Sequence, residues 1–143
     1  MDDPAGKEGL ASLTAAMLTE AATRQNSYEQ ILDRLFPLAS SYYASASVEM
    51  TVIAGRTHKD NLADFYPLLL DAIRAPAFKQ EDLDRLKSRT LNLLETTLRF
   101  SSDEELGKAV LYNEIFAGTP YGHLTAGTIE SVKSITLDDL QKF

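Results

Sequence analysis

The ten residues Gly9–Leu18, with the sequence GLASLTAAML, are the stretch on which the interpretation of the fold rests. Apolar side chains in this stretch, and one just after it, recur three or four residues apart: Leu10, Leu13, Met17, Leu18 and Ala21. Side chains with this spacing lie on one face of a helix. The pattern predicts an amphipathic helix from Gly9 to about Ala22.

The segment that follows changes from a helical to an extended pattern. Ser27 and Gln30 have the spacing of a capping box and predict a second helix that ends near Pro37. From Ser40 to Gly55 the residues alternate with the period of a strand. We therefore expect two short strands that turn near Ser47 to Glu49.

The second half of the chain is predicted to be helical. Asp60 is expected to cap a third helix, which the break at Pro76 ends, and a long helix is predicted over Gln80–Arg99. A capping box at Ser101–Glu104 begins the next helix, which ends at Phe116.

Two short helices are predicted at the end of the chain. Gly127 and Thr128 precede the first, which ends around Lys133, and Thr136 with Asp139 is expected to cap the second. The order of elements predicts an α+β fold in layers, with helices packed on one face of a mainly antiparallel sheet. Two strands are too few for such a sheet, so further strands are expected besides the predicted pair.

Composition excludes several classes of function. Hydrophobic residues at 44% and charged residues at 24% are ordinary for a globular protein of one domain, 1–143. The net charge of −7 repels phosphate backbones, so nucleic acid is not an expected partner. Residues 1–8 contain no apolar run, which argues against a membrane anchor and against membrane insertion. The absence of Cys leaves the compartment unknown, with bacterial periplasm and cytoplasm both compatible.

Several segments together resemble one protein family. Gly9–Leu18 resembles the metal-binding helix of the pitrilysin/insulinase-like zinc peptidases, the inverzincins related to the mitochondrial processing peptidase, in which Gly-x-Ala is followed by His-x-x-Glu-His. His58–Leu62, Ala75–Phe78, Gly118–His123 and Ile135–Leu140 resemble later segments of that family in the same order. The resemblance spans nearly the whole chain.

The same alignment shows that the metal ligands are missing. Ser12, Ala15 and Ala16 stand where the family has His, Glu and His, and Glu95 is the nearest match to its third ligand. A hydroxyl and two methyl groups supply no imidazole pair and no general base, and one carboxylate does not hold a catalytic zinc ion. We expect a degenerate motif with no metal site, no catalytic residue and no cofactor, although active members of the family carry zinc.

Other candidate residues have structural interpretations. His58 and His123 have no second ligand at metal-binding spacing, so a loop role is expected for both. Alternation places Tyr42 and Tyr43 on opposite faces of their strand, with core packing the expected role of the inward ring.

The resemblance implies a non-catalytic half-domain that lacks its flanking strands. The strand from Ser40 to Ser47 resembles the edge strand on which active members hold the peptide substrate, and the small side chains of Ala44, Ser45 and Ala46 leave room for a neighbouring chain. The implied partner is a homologous active peptidase subunit or domain that supplies zinc and shares a peptide chamber.

Two alternatives remain at this stage. The chain is a fragment of a zinc metalloendopeptidase whose intact motif lies in another domain, or it is an unrelated helical interaction domain. The sequence of the parent protein decides the first alternative. The fold decides the second, because an unrelated helical domain predicts no sheet beneath the helices.

Overall fold

The computed structural model describes residues 3–98, 103–119 and 121–143. Its elements in chain order are α1 (Leu10–Thr19), α2 (Tyr28–Leu35), β1 (Ser41–Ala46), β2 (Thr51–Arg56), α3 (Leu62–Arg74), α4 (Gln80–Asn92), a π-helical segment (Leu93–Thr97), α5 (Asp103–Ile115), α6 (Ile129–Ser134) and α7 (Leu137–Lys142). Mixed helices with an antiparallel pair of strands confirm the predicted fold class. No helix among the described residues has both the length and the hydrophobicity needed to cross a bilayer.

The start of α1 depends on a glycine and on a distant carboxylate. Gly9 has φ 94°, and a Cβ atom there would lie 2.7 Å from the Ala126 carbonyl oxygen. The Asp3 carboxylate accepts hydrogen bonds from the N–H groups of Gly9 at 2.7 Å and Ala11 at 2.8 Å. These bonds satisfy donors that a helix N-terminus leaves without partners.

Helix α1 ends at Thr19, three residues before the predicted end at Ala22. The Glu20 N–H makes the last helical bond, to the Ala16 carbonyl at 2.7 Å, whereas the Ala22 N–H donates to the Asp82 carboxylate at 3.0 Å. Thr23 also forms a bridge with Pro76. A long-range partner therefore shortens a helix whose apolar pattern continues.

Strands β1 and β2 form an antiparallel hairpin in which Ser41 pairs with Arg56 and Ala46 with Thr51. The Ser47 N–H donates to the Met50 carbonyl at 2.8 Å, so the turn is where the sequence predicts it. Tyr42 is buried and Tyr43 is exposed, which confirms their opposite faces. Burial raises the pKa of the Tyr42 phenol to about 12.

The predicted cap of α3 is wrong. The helix begins at Leu62 and its N-cap residue is Asn61 rather than Asp60, because a 3₁₀ turn at Lys59–Asn61 precedes it. The His58 Nδ1 atom accepts from the Asp60 N–H at 3.4 Å, so the imidazole takes the capping position.

The other boundaries largely follow the sequence. The capping boxes at Ser27–Gln30 and Thr136–Asp139 are both present. The long predicted helix changes to π-helical geometry at Leu93. The predicted end at Arg99 and the capping Ser101 lie outside the described residues.

Two buried clusters hold the helices together. The first joins α1, α4, α6 and α7 through Leu10, Leu13, Met17, Ala21, Leu83, Leu86, Val132, Ile135 and Leu140. The second joins α2, β1 and α3 through Ile31, Leu35, Tyr42, Phe65, Leu68 and Ala72. Helix α5 contributes no buried side chain among its described residues, so one face of it is open.

Candidate functional site

One cavity brings together most of the residues that the sequence singled out. Its volume is about 490 Å³, and it lies between α1, β1 and the end of α4. Its lining residues are Ser12, Leu13, Ala16, Glu20, Ala44, Ser45, Ala46, Arg89, Thr90, Asn92, Leu93, Thr125 and Ala126. We call it the cleft.

The degenerate motif positions lie on α1 at the wall of the cleft. The Ser12 hydroxyl donates to the Thr125 carbonyl at 2.6 Å, so it ties the helix to the segment before α6. Ala16 lines the cleft, whereas Ala15 is 2% exposed and belongs to the core. These three positions offer one hydroxyl, already engaged, and two methyl groups.

Glu95 does not lie among the residues that line the cleft. Its side chain is 48% exposed, and its Oε1 atom is 3.4 Å from the Lys133 Nζ atom. Leu93 lines the cleft with Ser12 and Ala16. Because side chains two residues apart leave a helix in different directions, a residue at position 93 faces the cleft while Glu95 faces α6.

The residues present do not fit zinc. Among the described residues, no three or more His, Asp or Glu side chains come close enough together to hold a metal ion. His58 contacts the Asp60 carboxylate at 3.4 Å on the surface. The His123 Nδ1 atom lies 3.0 Å from the Leu124 carbonyl oxygen. No catalytic step through a metal follows from this donor set.

The open side of β1 can be identified from its hydrogen bonds. The Ser47 N–H donates a hydrogen bond toward the β2 side of the hairpin. In an antiparallel pair, the backbone N–H and C=O groups of every second residue point in the same direction. Ser45 therefore faces Val52 with its backbone groups, whereas those of Ala44 and Ala46 point away from β2. The Ala44 N–H donates outward to the Thr19 hydroxyl at 3.1 Å, in agreement with this pattern. Of the three predicted edge residues, Ala44 and Ala46 direct their backbone groups away from β2.

A charged cluster fixes α4 beside the cleft. Arg89 forms an ion pair with Glu20 at the C-terminal end of α1, and the hydrogen bond that it donates to the Glu20 carboxylate raises the pKa of the Arg89 guanidinium. Arg85 is 3.0 Å from Asp82 and stacks 4.9 Å from the centre of the Tyr28 ring. No sequence pattern predicts this cluster, because its partners are far apart in the chain.

A second cavity, also of about 490 Å³, lies at the far end of β1 and has an aromatic wall. Phe116 lies between Tyr112 and Tyr121, and each pair of ring centroids is 6.0 Å apart. The sequence analysis assigned these rings no role.

Comparisons with known proteins identify relatives of this arrangement. No protein-family model matches the chain. The chain is 31% identical over 137 residues to the "Non-peptidase homolog YmxG" of Helicobacter pylori, covering 94% of this chain and 30% of that protein. It is 26% identical over 123 residues to the mitochondrial-processing peptidase subunit alpha-1 of Dictyostelium discoideum, covering 86% of this chain and 19% of that protein.

Solved structures match the fold over almost the whole chain. A peptidase M16 inactive domain from Pseudomonas fluorescens matches with a TM-score of 0.84 and 25% identity, covering 95% of this chain and 33% of that one. A protease from Helicobacter pylori matches with a TM-score of 0.77 and 16% identity over 96% of this chain. The periplasmic protease PqqL from Escherichia coli matches with a TM-score of 0.74. The chain thus spans about a third or less of the length of each protein it matches.

Proposed function

Because this chain is an inactive, M16-like member of the pitrilysin/insulinase peptidases, we propose that it is a peptide-binding half-domain that works beside a catalytic partner. The partner, a homologous peptidase subunit or domain, supplies the zinc site that Ser12, Ala15 and Ala16 do not form. This chain supplies part of the wall of a shared chamber and holds the peptide. Residues 1–143 are then one part of a peptidase-like domain whose remaining strands lie elsewhere in the assembly.

The observation that carries the proposal is the position of the β1 edge in the cleft. Ala44 and Ala46 direct backbone groups away from β2 and line the same cavity as Ser12 and Ala16. Strand addition uses backbone hydrogen bonds for affinity, so it does not depend on the missing metal ligands. The small side chains along β1 allow a neighbouring strand to approach.

One feature of the edge limits how a peptide binds. The Thr19 hydroxyl accepts a hydrogen bond from the Ala44 N–H at 3.1 Å and itself donates one to the Ala15 carbonyl at 3.2 Å. A peptide strand that pairs fully with β1 displaces Thr19 from Ala44. Thr19 therefore competes with the peptide for one of the hydrogen bonds of the edge.

The name of the Dictyostelium relative, a peptidase subunit, and the greater length of every relative support a role within a larger assembly. The alternative, a parent zinc peptidase with its intact motif in another domain, differs only in whether the catalytic partner is in the same chain. An unrelated helical interaction domain is excluded, because the fold matches M16-type domains over nearly its whole length.

The experiment is a binding measurement with N-methylated peptides. A library of fluorescent peptides of about eight residues, long enough to span the six residues of β1, first identifies a binder. Two versions of that binder then carry N-methyl groups on alternate residues, in opposite phase. We expect one phase to weaken binding at least about tenfold and the other to bind as the parent does, because only one set of N–H groups faces β1. Equal binding of the two phases contradicts strand addition.

A further inference from the structure

The cleft and the aromatic cavity lie next to each other beyond Ala46. A small cavity of about 10 Å³ lies between the two, and Ser12 and Ala46 line both this cavity and the cleft. Val48 and His123 line both the small cavity and the aromatic one, and Thr125 lines all three. A chain that lies along β1 and runs past Ala46 therefore reaches the aromatic cavity.

The distance suits a peptide strand. Val48 follows Ala46 by two residues, and an extended chain advances about 3.3 Å per residue. The β hairpin turns away at Ser47, whereas a paired peptide continues straight ahead. Roughly two residues beyond its contact with Ala46, such a peptide places a side chain beside Val48 and the aromatic wall.

The wall of this cavity is apolar and electrically balanced. Tyr112, Phe116 and Tyr121 provide the rings, and Leu98, Ala109 and Leu124 complete the apolar surface. Lys108 and Glu105 also line it, but they form an ion pair at 3.1 Å, and Lys108 pairs with Glu104 at 2.7 Å as well. The two charged side chains that line the cavity, Lys108 and Glu105, offset each other, so a charged ligand finds no net opposite charge in the lining, whereas an apolar ring packs against the aromatic side chains.

We infer that the aromatic cavity is a side-chain pocket that selects one aromatic residue of the peptide bound along β1. This inference rests on the proposed function, because the β1 edge must hold the peptide backbone. The pocket adds selectivity to an edge that recognises backbone alone. A volume of about 490 Å³ is within the range of small-ligand sites and accommodates a large ring.

The absence of Trp from this chain makes the inference measurable. The probe is a set of acetylated peptides of about eight residues, long enough to span the six residues of β1 and about two more, built of alternating Ala and Thr with one Trp placed in turn at each position. We expect a single Trp position to give a blue-shifted emission and to bind at least about tenfold more tightly than the peptide in which Ala replaces Trp, because the ring is removed from water there.

Variants of the pocket distinguish a preference for the Trp peptide in this pocket from nonspecific hydrophobic binding. Phe116→Ala and Tyr112→Ala are expected to remove the Trp preference, so that the Trp and Ala peptides bind with similar affinity; neither residue belongs to the two described buried clusters. Tyr66→Ala is the matched control, because Tyr66 is 52% exposed and Tyr112 is 60% exposed, but Tyr66 lines neither the cleft nor the aromatic cavity. The control variant is expected to keep the preference.

The outcomes distinguish the two proposals. If the Ala and Trp peptides bind with equal affinity, the β1 edge holds peptides and the pocket inference is wrong. If the Trp preference survives Phe116→Ala and Tyr112→Ala, the pocket lies elsewhere and the assignment is wrong. If no peptide of the set binds, the proposed function fails and the pocket inference fails with it.

Discussion

At the residue scale, the degenerate motif positions differ in where their side chains lie. Ser12 and Ala16 occupy adjacent turns on the cleft side of α1, and side chains four residues apart are near enough to hold one ion. Leu93 faces them from the end of α4. Ala15, in contrast, is packed into the core, so a Glu at that position also needs a local rearrangement.

The first prediction rebuilds a metal site from this geometry. Ser12→His, Ala16→His and Leu93→Glu together are expected to bind one zinc ion per chain, because two imidazoles and one carboxylate then face the cleft. Without Leu93→Glu, the affinity of the double-His variant is expected to be at least about tenfold weaker. Isothermal titration measures both, and the unchanged protein is expected to bind no stoichiometric zinc.

The control for this prediction is Glu95→Ala in the double-His variant. Since Glu95 faces Lys133 rather than the cleft, its removal is expected to leave zinc affinity unchanged. A loss of tenfold or more on Glu95→Ala restores Glu95 as the third-ligand position, as the sequence alignment predicts. Leaving Ala15 in place avoids a buried carboxylate and keeps the test independent of a folding defect.

The second prediction concerns the two glycines that let α1 and α6 approach each other. Gly9→Ala is expected to lower the free energy of unfolding by at least about 2 kcal/mol, from the strain of positive φ and from overpacking. The added Cβ atom meets the Ala126 carbonyl at 2.7 Å, and one added at Gly127 meets the Glu8 carbonyl at 2.0 Å. Urea denaturation measures the change.

Gly6→Ala is the matched control, because Gly6 has φ 79° but open space around its missing Cβ atom. It isolates the cost of the backbone conformation. Equal destabilisation by Gly6→Ala and Gly9→Ala contradicts the close approach of α1 to the segment before α6.

At the element scale, a helix boundary is predictable from sequence when the residues that set it are close together in the chain. The capping boxes at Ser27 and Thr136 are confirmed, because each needs only residues three apart. The cap at Asp60 is wrong because its outcome depends on a competing 3₁₀ turn. The π-helical geometry at Leu93 changes hydrogen-bond partners without changing the apolar pattern. It was therefore not predictable from spacing.

The candidate site shows the same division. The identity of the degenerate motif residues follows from sequence alone, and so does the strand that Ala44 belongs to. Their meeting in one cleft depends on tertiary packing. The same is true of the pairing of Glu20 with Arg89, residues on separate helices.

The third prediction concerns the cap of α7 and its link to the N-terminal segment. Lys7 lies 2.8 Å from the Asp139 carboxylate, which also accepts from the Thr136 N–H at 2.8 Å. The hydrogen bond from Lys7, followed by those from Thr136, lowers the pKa of Asp139 to about 2. A lowered carboxyl pKa stabilises the fold above the unfolded pKa of about 4, and this stabilisation is lost as the pH falls from there toward 2.

Asp139→Asn is therefore expected to lower the melting temperature at pH 7. It is also expected to flatten the decline of the melting temperature between about pH 4 and pH 2, because protonation of Asp139 no longer contributes to that decline. Thermal melts followed by circular dichroism across this range measure it. Asp138→Asn is the matched control, because it removes one charge at the neighbouring position, where the partner is Lys142 on the surface. A decline below pH 4 that is as steep in Asp139→Asn as in the unchanged protein rules out this carboxylate as its source.

At the scale of the whole molecule, the two buried clusters share β1 and α1 as their boundary. Tyr42 belongs to the second cluster, and the Thr19 hydroxyl at the end of α1 bonds to Ala44 on the same strand. The hairpin is therefore anchored on one face and at one edge. The other edge belongs to β2, whose alternate backbone groups point away from β1.

The last prediction is that this edge makes the isolated chain self-associate. Ile53 pairs with Ala44, whose N–H points outward, so in an antiparallel ladder the N–H and C=O groups of Ile53 point away from β1. Strand edges of this kind pair with other chains. Light scattering after size exclusion is expected to show a mass that rises with concentration. Ile53→Pro removes the outward N–H without removing a bond to β1, so it is expected to reduce the rise, whereas Ile53→Ala keeps the N–H and is expected to retain most of it. A constant monomer mass for the unchanged chain contradicts edge pairing, and an equal reduction by both variants assigns the association to the apolar side chain instead.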